Sequence, residues 1–329
     1  MDIRPEREAA DPGLSAITRE RRQLIGLAYR LLGSLTEAED AVQEACARWY
    51  ALPGPRREAV ASPGAWLTTV TGRICLDLLG SARARRERYV GEWVPEPLPD
   101  GTEWPAGRAG GGGGDPADLV ALDESVDMAF LVVLEAMTPA ERVAFILHDV
   151  FRYPFTEVAA IVDRTPAACR QLASSARRRV RAARAPAVPA GERARIVRDF
   201  KQAWEAQDIA ALVGLLDPGA TMTADGGGRA GAVLRPVVGA ERIARHLLGL
   251  AARAPGRTLL ERSVNGRPGL VAQQGGATMT VAAFEVADGR ITRIWAVRNP
   301  EKLRAWGTPS SASGVRTEEG AAEGAGAEG

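Results

Sequence analysis

Apolar and polar residues follow two different periods along this chain. Over residues 14–90 and 118–185 the apolar residues recur every three or four positions, which is the spacing of amphipathic helices. Over residues 192–306 helical spacing gives way to short runs of alternating apolar and polar residues, separated by Asn-Gly and Asp-Gly turns. The pattern therefore predicts two all-α domains followed by an α+β domain.

Proline and glycine mark the boundaries between these domains. Residues 91–117 contain several prolines before a run of five glycines, a composition that predicts a flexible linker with no packed element. Residues 185–191, APAVPAG, predict a short hinge. Residues 307–329 are rich in Gly, Ala, Ser and Glu, so we expect a disordered tail.

Residues 155–184 predict a helix, a tight turn and a second helix with a cationic outer face. We expect Thr156 to cap the first helix, Asp163 and Arg164 to form the turn, and Thr165 with Pro166 to start the second helix. Such a helix suits the major groove of DNA, although the residues alone equally fit a helical hairpin with a solvated basic face. The predicted DNA-contacting residues are Arg164, Thr165, Arg170, Gln171, Ser174, Arg177 and Arg178.

The first helical block carries one acidic and one basic surface. In residues 33–52, Thr36 and Glu39 predict a capping box, and the helix exposes Glu37, Asp40 and Glu44. By pattern alone such an acidic face is simply solvated. Residues 62–91 interleave aromatic and basic residues, which suits single-stranded nucleic acid, although Trp66 alone is better explained as a core residue. The polar and aromatic candidates there are Trp66, Thr69, Arg73, Arg83 and Arg86.

Composition restricts the class of protein but not its partner. The formal net charge is only +1, and Lys201 and Lys302 are the only lysines. The enrichment in Arg, Ala and Gly is also what a GC-rich genome alone would produce, so part of the arginine signal has this alternative explanation. Cys46, Cys75 and Cys169 have neither metal-ligand nor disulfide-framework spacing, which predicts a reducing cytoplasm and no metal site. No apolar run is long enough for a membrane span, and the first residues lack a signal-peptide core.

Three sequence patterns together resemble a known family. YRLLGSLTEAEDAVQEACARWY followed by SPGAWLTTVTGRICLDLLGSARARRERY resembles region 2 of sigma-70-type factors. MTPAERVAFILHDVFRYPFTEVAAIVDRTPAACRQLASSARRRVRA, residues 137–182, resembles their region 4. With no recognisable region between them, the chain resembles extracytoplasmic-function sigma factors. One departure is Gly72-Arg73, where many relatives have an Arg-Asn pair nearby.

This resemblance implies partners for the surfaces described above. The acidic face with Glu37, Asp40 and Glu44 would bind the clamp helices of core RNA polymerase, with the flap region as a further contact. The segment from Trp66 to Arg88 would open the promoter −10 element, and the helix over 165–179 would read the −35 element. Polymerase would supply catalysis, so no enzyme activity and no cofactor are expected.

The C-terminal block resembles the SnoaL-like branch of the NTF2-like superfamily, in which a curved sheet wraps around a pocket. Such a domain can be an enzyme, a ligand binder or an interaction module, so its fold does not settle its role. His246 lies beside two leucines and is better explained by packing, and Asp225 before three glycines is first of all a turn signal. A small-molecule ligand of the pocket stays an open alternative.

Three shorter patterns resemble sigma factors with a fused SnoaL-like extension, in which the extension is thought to regulate in cis. They are WVPEPL at 93–98, DGGGR at 225–229 and NPEKL at 299–303. The implied regulatory residues are Trp93, Pro95, Glu96, Pro97, Asp225, Gly226, Gly227, Gly228, Asn299, Pro300 and Lys302. The sequence favours a self-regulated sigma factor over a DNA-tethered enzyme or a helix-turn-helix repressor with a ligand-sensing domain, and leaves the sign of regulation open.

Overall fold

Amphipathic helices form the first half of the chain in a computed structural model that describes residues 12–86, 89–99, 126–228 and 233–307. The first block consists of α1 (Pro12–Leu32), α2 (Leu35–Tyr50), α3 (Gly54–Glu58) and α4 (Pro63–Arg86). The second consists of α5 (Met128–Glu135), α6 (Pro139–Phe145) with a π-helical turn at Ile146–Val150, α7 (Phe155–Val162) and α8 (Pro166–Ala183). Both predicted helical blocks are therefore present.

The two helical blocks share one hydrophobic core. Leu27 and Leu31 of α1 belong to the same buried cluster as Leu131 of α5, Ile146 of the π-helical turn and Ile161 of α7. Helix α4 packs directly on α7, and the Cβ that any other residue would place at Gly72 would lie 2.8 Å from Cγ2 of Ile161. The helical blocks consequently pack as one body.

The last part of the chain forms the predicted α+β domain. Helices α9 (Ala190–Glu205), α10 (Ile209–Leu215) and α11 (Ala240–Arg253) accompany strands β1 (Leu216–Asp225), β2 (Val237–Val238), β3 (Thr258–Val264), β4 (Arg267–Gln274), β5 (Ala277–Ala287) and β6 (Arg290–Val297). Across the described residues the strand order is β2-β1-β6-β5-β4-β3, with β1 and β6 parallel and the other pairs antiparallel. A 3₁₀ helix, Pro300–Trp306, follows β6.

Alternating side chains give this sheet two buried faces. Phe284 and Ile294 face the helices of their own domain, where Phe200 of α9 packs at 5.5 Å between ring centroids from Phe284. Val281 and Trp295 alternate with these residues along β5 and β6 and face the other way. They cluster with Val94, Met128 and Leu303. The sheet therefore serves as the surface on which the helical part of the chain is docked.

The linker prediction is wrong for residues 92–99, because Val94, Glu96 and Leu98 are all buried. Pro95 and Pro97 bring no N–H group, and their rings fix an extended backbone. The Val94 N–H donates to the Asp225 side chain and the Leu98 N–H to the Asn265 side chain, whereas the Glu96 N–H donates to the carbonyl oxygen of Gly33. The glycine run and the C-terminal tail lie outside the described residues.

Two capping predictions are also wrong. Helix α2 is capped by Ser34, whose hydroxyl accepts from the Glu37 N–H, and not by Thr36, which already lies inside the helix. Helix α7 begins after Pro154 without a side-chain cap, so Thr156 does not cap it. Among the described residues, no helix is long and apolar enough to cross a membrane.

Candidate nucleic-acid interface and interdomain hub

Helix α8 presents the cationic surface that the sequence predicts. Asp163 adopts a left-handed conformation with φ of 55° and turns the chain, and the Thr165 hydroxyl accepts from the Ala168 N–H at 3.2 Å. Cys169, Ala173 and Ala176 are buried. The exposed predicted residues are Arg164, Thr165, Arg170, Gln171, Ser174 and Arg178.

Arg177 departs from this pattern because it is only partly exposed. Its Nε lies 2.7 Å from Oδ1 of Asp149, and burial raises the pKa of that carboxyl while Arg177 opposes the rise. Arg170 lies over the ring of Phe155, which also stacks with His148 at 3.7 Å between centroids. These contacts orient α8 on its own domain, and they engage Arg177 in an ion pair within the protein.

Helix α4 uses part of its predicted DNA surface to contact α7. The Arg73 guanidinium donates to the carbonyl oxygen of Ala160 at 2.8 Å, and the Thr69 hydroxyl donates to Ala65 within the helix. Trp66 is half-buried against Trp49, with ring centroids 5.2 Å apart. The side chains of Arg83 and Arg86 lie outside the described part of the structure.

The acidic face of α2 is open over most of its length. Asp40 and Glu44 are exposed, and Glu44 pairs with Arg48 one turn later at 2.8 Å. Glu37 is half-buried and lines a cleft of about 330 Å³ together with Lys302 and Arg304. The first turn of α2 therefore lies next to the C-terminal domain.

Asp225 is the centre of a buried polar cluster that joins the linker to the C-terminal domain. Its side chain is 0% exposed. Oδ1 accepts from the Tyr89 hydroxyl at 2.6 Å and the Gly227 N–H at 3.0 Å, and Oδ2 accepts from Lys302 Nζ at 2.7 Å and the Val94 N–H at 3.0 Å. We call Tyr89, Trp93, Val94, Asp225, Asn299 and Lys302 the interdomain hub.

Lys302 balances the Asp225 charge from within this hub. Its ammonium also donates to the Val94 carbonyl oxygen and lies 3.9 Å from the centroid of the Trp93 ring, an arrangement that favours a cation. The Tyr89 hydroxyl accepts from the Asn299 amide at 2.9 Å. Burial, followed by the hydrogen bond and charge of Asp225, raises the pKa of Tyr89.

The Asp225-Gly-Gly-Gly turn is therefore more than a turn. A Cβ at Gly227, which has φ of 62°, would lie 2.6 Å from the amide carbon of Asn299. Only glycine provides both this backbone conformation and this close approach. Gly226 is buried, whereas Gly228 and Pro300 are exposed, so only part of each predicted motif lies in the hub.

Glu96 joins the same linker to α2. Its carboxylate accepts from the Leu35 N–H at 2.8 Å and from the Ser34 hydroxyl at 3.2 Å, at the positive end of the helix dipole. Burial raises the pKa of Glu96, against the effect of these two hydrogen bonds. The next residue of the linker, Pro97, contacts the C-terminal domain, because the indole N–H of Trp306 donates to the Pro97 carbonyl oxygen at 2.8 Å.

Sequence reasoning missed two residues of this interface. Asn265 donates to the Tyr29 hydroxyl at 2.9 Å, and Tyr29 in turn donates to the carbonyl oxygen of Glu96 at 2.7 Å. Asn265 gave only a turn signal before Gly266, and Tyr29 resembled an ordinary apolar position of α1. A polar group that forms long-range contacts leaves no local signal of them in the sequence.

Asp225 and His246 are not brought together. His246 lines a pocket inside the C-terminal domain with Arg257, Arg298 and Ala224. Asp225 follows Ala224 on β1 and points to the opposite face of the sheet, into the hub. The geometry therefore does not support a shared catalytic role for Asp225 and His246.

Comparisons with known proteins agree with this layout. Sigma-70 region 2 matches residues 16–85, and Sigma-70 region 4 matches residues 127–180. The ECF RNA polymerase sigma factor SigJ of Mycobacterium tuberculosis is 39% identical over 297 residues, covering 86% of this chain and 90% of that protein. The probable ECF RNA polymerase sigma factor SigI of the same species is 36% identical over 294 residues, covering 89% and 95%.

A solved structure supports the same conclusion. The crystal structure of M. tuberculosis extracytoplasmic function sigma factor SigJ matches with a TM-score of 0.66 at 34% identity, covering 90% of this chain and 99% of that one. Two helical sigma domains followed by an α+β domain are thus confirmed. The chain belongs to the extracytoplasmic-function sigma factors of the sigma-70 family, which direct promoter-specific initiation of transcription.

Proposed function

We propose that the C-terminal domain of this sigma factor holds regions 2 and 4 together in a closed form, which must open before the promoter is bound. Core RNA polymerase would dock its clamp helices on Glu37, Asp40 and Glu44. The exposed arginines of α8 would read the −35 element, and Trp66, Thr69 and Arg73 would engage the −10 element.

The observation that carries the proposal is the contact between α4 and α7. The −10 element, which α4 in region 2 would bind, and the −35 element, which region 4 would bind, lie about 25 base pairs apart. This is about 85 Å along B-form DNA at 3.4 Å per base pair. Here Arg73 of α4 hydrogen-bonds to Ala160 of α7, and the Thr68 and Tyr153 hydroxyls lie 3.0 Å apart. One chain cannot make these contacts and span both elements together.

The C-terminal domain supports the closed form through the linker. Val94 is fixed by Asp225 and Lys302, and Glu96 is fixed on the first turn of α2. Met128, at the start of α5, packs in the same cluster as Val281 and Trp295 of the sheet. The domain and its linker thereby contact the first turn of α2 in region 2 and the start of region 4, and release of the domain would free both regions from a common support.

Run-off transcription with purified bacterial core polymerase tests the proposal. Templates would carry randomised −35 and −10 segments, and the full chain would be compared with Lys302→Met and with chains ending at Arg298 or Pro186. We expect Lys302→Met and the chain ending at Arg298 to give more specific transcript than the full chain. Asp40→Arg is the negative control, because it reverses charge on the exposed polymerase face.

Three outcomes would contradict the proposal in different ways. Equal activity in every loosened variant would show that the domain does not inhibit transcription, and lower activity would show that the domain is required. If no chain gives a specific transcript and none binds core polymerase, the proposed polymerase-binding and promoter-binding surfaces are wrong. Transcript that survives Asp40→Arg would place the polymerase contact elsewhere.

A further inference from the structure

The pocket inside the C-terminal domain is apolar at its base and cationic at its mouth. Aromatic and aliphatic side chains from α9, α11 and the inner face of the sheet line the base, among them Phe200, Leu247 and Phe284. Arg257, Arg298 and His246 supply the cationic part of the lining, and Thr280 supplies a hydroxyl. None of the described residues that line this pocket is acidic.

His246, Arg257 and Arg298 come from three parts of the domain and lie near a further arginine, Arg253. His246 lies on α11, Arg253 is its last residue, Arg257 precedes β3, and Arg298 follows β6. Burial and then the positive charges of Arg253 and Arg298 lower the pKa of His246. Burial and then the charges of Arg257 and Arg253 lower the pKa of Arg298.

Arg257 has a buried hydrogen-bond donor without an acceptor. Its Nε is buried and has no hydrogen-bond partner among the described residues. A buried guanidinium nitrogen without an acceptor costs free energy, as do like charges brought together in a region of low dielectric. A bound anion would remove both costs.

We propose that this pocket binds a small organic monocarboxylate, with the carboxylate at Arg257 and Arg298 and a short apolar body in the base. A guanidinium matches a carboxylate with two parallel hydrogen bonds, which favours this group at the mouth. The cavity measures about 40 Å³. That is far below the roughly 150 Å³ that holds a benzene ring without rearrangement, so the apolar body is short.

The pocket adjoins the interdomain hub through the backbone. Ala224 lines the pocket and precedes Asp225, and Arg298 lines it and precedes Asn299. The Arg298 N–H donates to the carbonyl oxygen of Asp225 at 2.7 Å. A ligand that draws Arg298 inward would therefore act on the strand ends that hold the hub, which adds a ligand to the regulation proposed above.

Binding can be measured on the full chain without polymerase, so failure here is distinct from failure of the proposed function. Isothermal titration and thermal unfolding would use propionate and butyrate as ligands, with benzoate as a carboxylate too large for the cavity and with the matched neutral amides and inorganic phosphate as controls. Arg257→Gln removes the mouth charge and Ala282→Leu fills the base, each checked for wild-type circular dichroism. Arg242→Gln, on the exposed side of α11, is the matched control.

We expect saturable binding of at least one carboxylate, with weaker binding of its amide and of phosphate. Arg257→Gln should weaken it by at least about tenfold, since a charge-assisted hydrogen bond is lost. Ala282→Leu should abolish binding, and Arg242→Gln should bind as the wild type does. Equal binding of acid and amide, unchanged affinity in Arg257→Gln, or no carboxylate bound at millimolar concentration would each overturn the proposal.

Discussion

The pair formed by Asp225 and Lys302 allows a quantitative test of how the C-terminal domain is held. The Asp225 side chain is 0% exposed and that of Lys302 is 9% exposed, so water screens the pair only weakly. We consider Asp225→Asn, Lys302→Met and the double variant. Asparagine keeps an acceptor oxygen for the Val94 N–H, and methionine keeps the length of the lysine side chain.

The magnitude follows from what each single substitution leaves behind. Lys302→Met leaves a buried carboxylate with only Tyr89, Val94 and Gly227 as donors, and Asp225→Asn leaves a buried ammonium facing an amide. Removing one partner of a buried ion pair costs about 3–5 kcal/mol. The double variant leaves no uncompensated charge, so we expect a coupling free energy of about 2–3 kcal/mol between the two positions.

Equilibrium urea unfolding of the four proteins, analysed as a double-mutant cycle, measures this coupling. Lys201→Met is the matched control, because Lys201 is the only other lysine and pairs with the more exposed Glu205. That control should cost less than about 1 kcal/mol. Single variants within about 1 kcal/mol of the wild type, or strictly additive costs, would refute the reasoning by showing that water reaches the pair.

Three further predictions concern the closed form and the DNA surface. Gly72→Leu should clash with α7 and increase hydrogen exchange where α4 meets it, whereas Gly80→Leu on the same helix meets no atom within 4 Å and should not. Burial raises the pKa of Glu96, so the stability it confers is full below its unfolded value near 4.5 and is lost as pH rises through the folded value. The stability of Glu96→Gln relative to the wild type in urea unfolding should therefore increase as pH rises above about 4.5, and a difference that stays constant with pH would contradict this. Arg178→Ala should weaken −35 duplex binding and lower the salt slope by about one in fluorescence anisotropy of the holoenzyme, while Arg198→Ala should change neither.

The elements could be predicted from the sequence because their signals are local. Thr165 followed by Pro166 marks the start of α8, and the apolar spacing from Cys169 to Ala176 fixes which side is buried. Some residues of the three short motifs meet in space, among them Trp93, Asp225 and Lys302. Their meeting could be anticipated only through resemblance, because Val94 and Lys302 are 208 residues apart.

The failures have a common physical origin. The linker composition predicts an unpacked segment because proline cannot join a helix or a central strand. The same property suits Pro95 and Pro97 to a buried extended segment, since each removes one N–H that would otherwise need an acceptor. Ser34 with Glu37 forms the same Ser/Thr-x-x-Glu pattern as Thr36 with Glu39, so this pattern alone does not select the cap of α2. The Ser34 hydroxyl and the Leu35 N–H donate to the carboxylate of Glu96, about sixty residues away, which leaves no local signal in the sequence.

The position of Glu37 connects closure to polymerase binding. Glu37 lies on the proposed clamp-binding face, yet it also lines the cleft that α2 shares with Arg304 of the C-terminal domain. If clamp helices and the C-terminal domain compete there, polymerase binds only the open fraction, and its apparent affinity falls by that fraction. A closing free energy of about 3 kcal/mol would leave roughly one molecule in 150 open and weaken core binding by the same factor. Because it would bind only the open form, polymerase would in turn shift the population toward that form, so core polymerase itself would help release the −10 surface of α4 from α7.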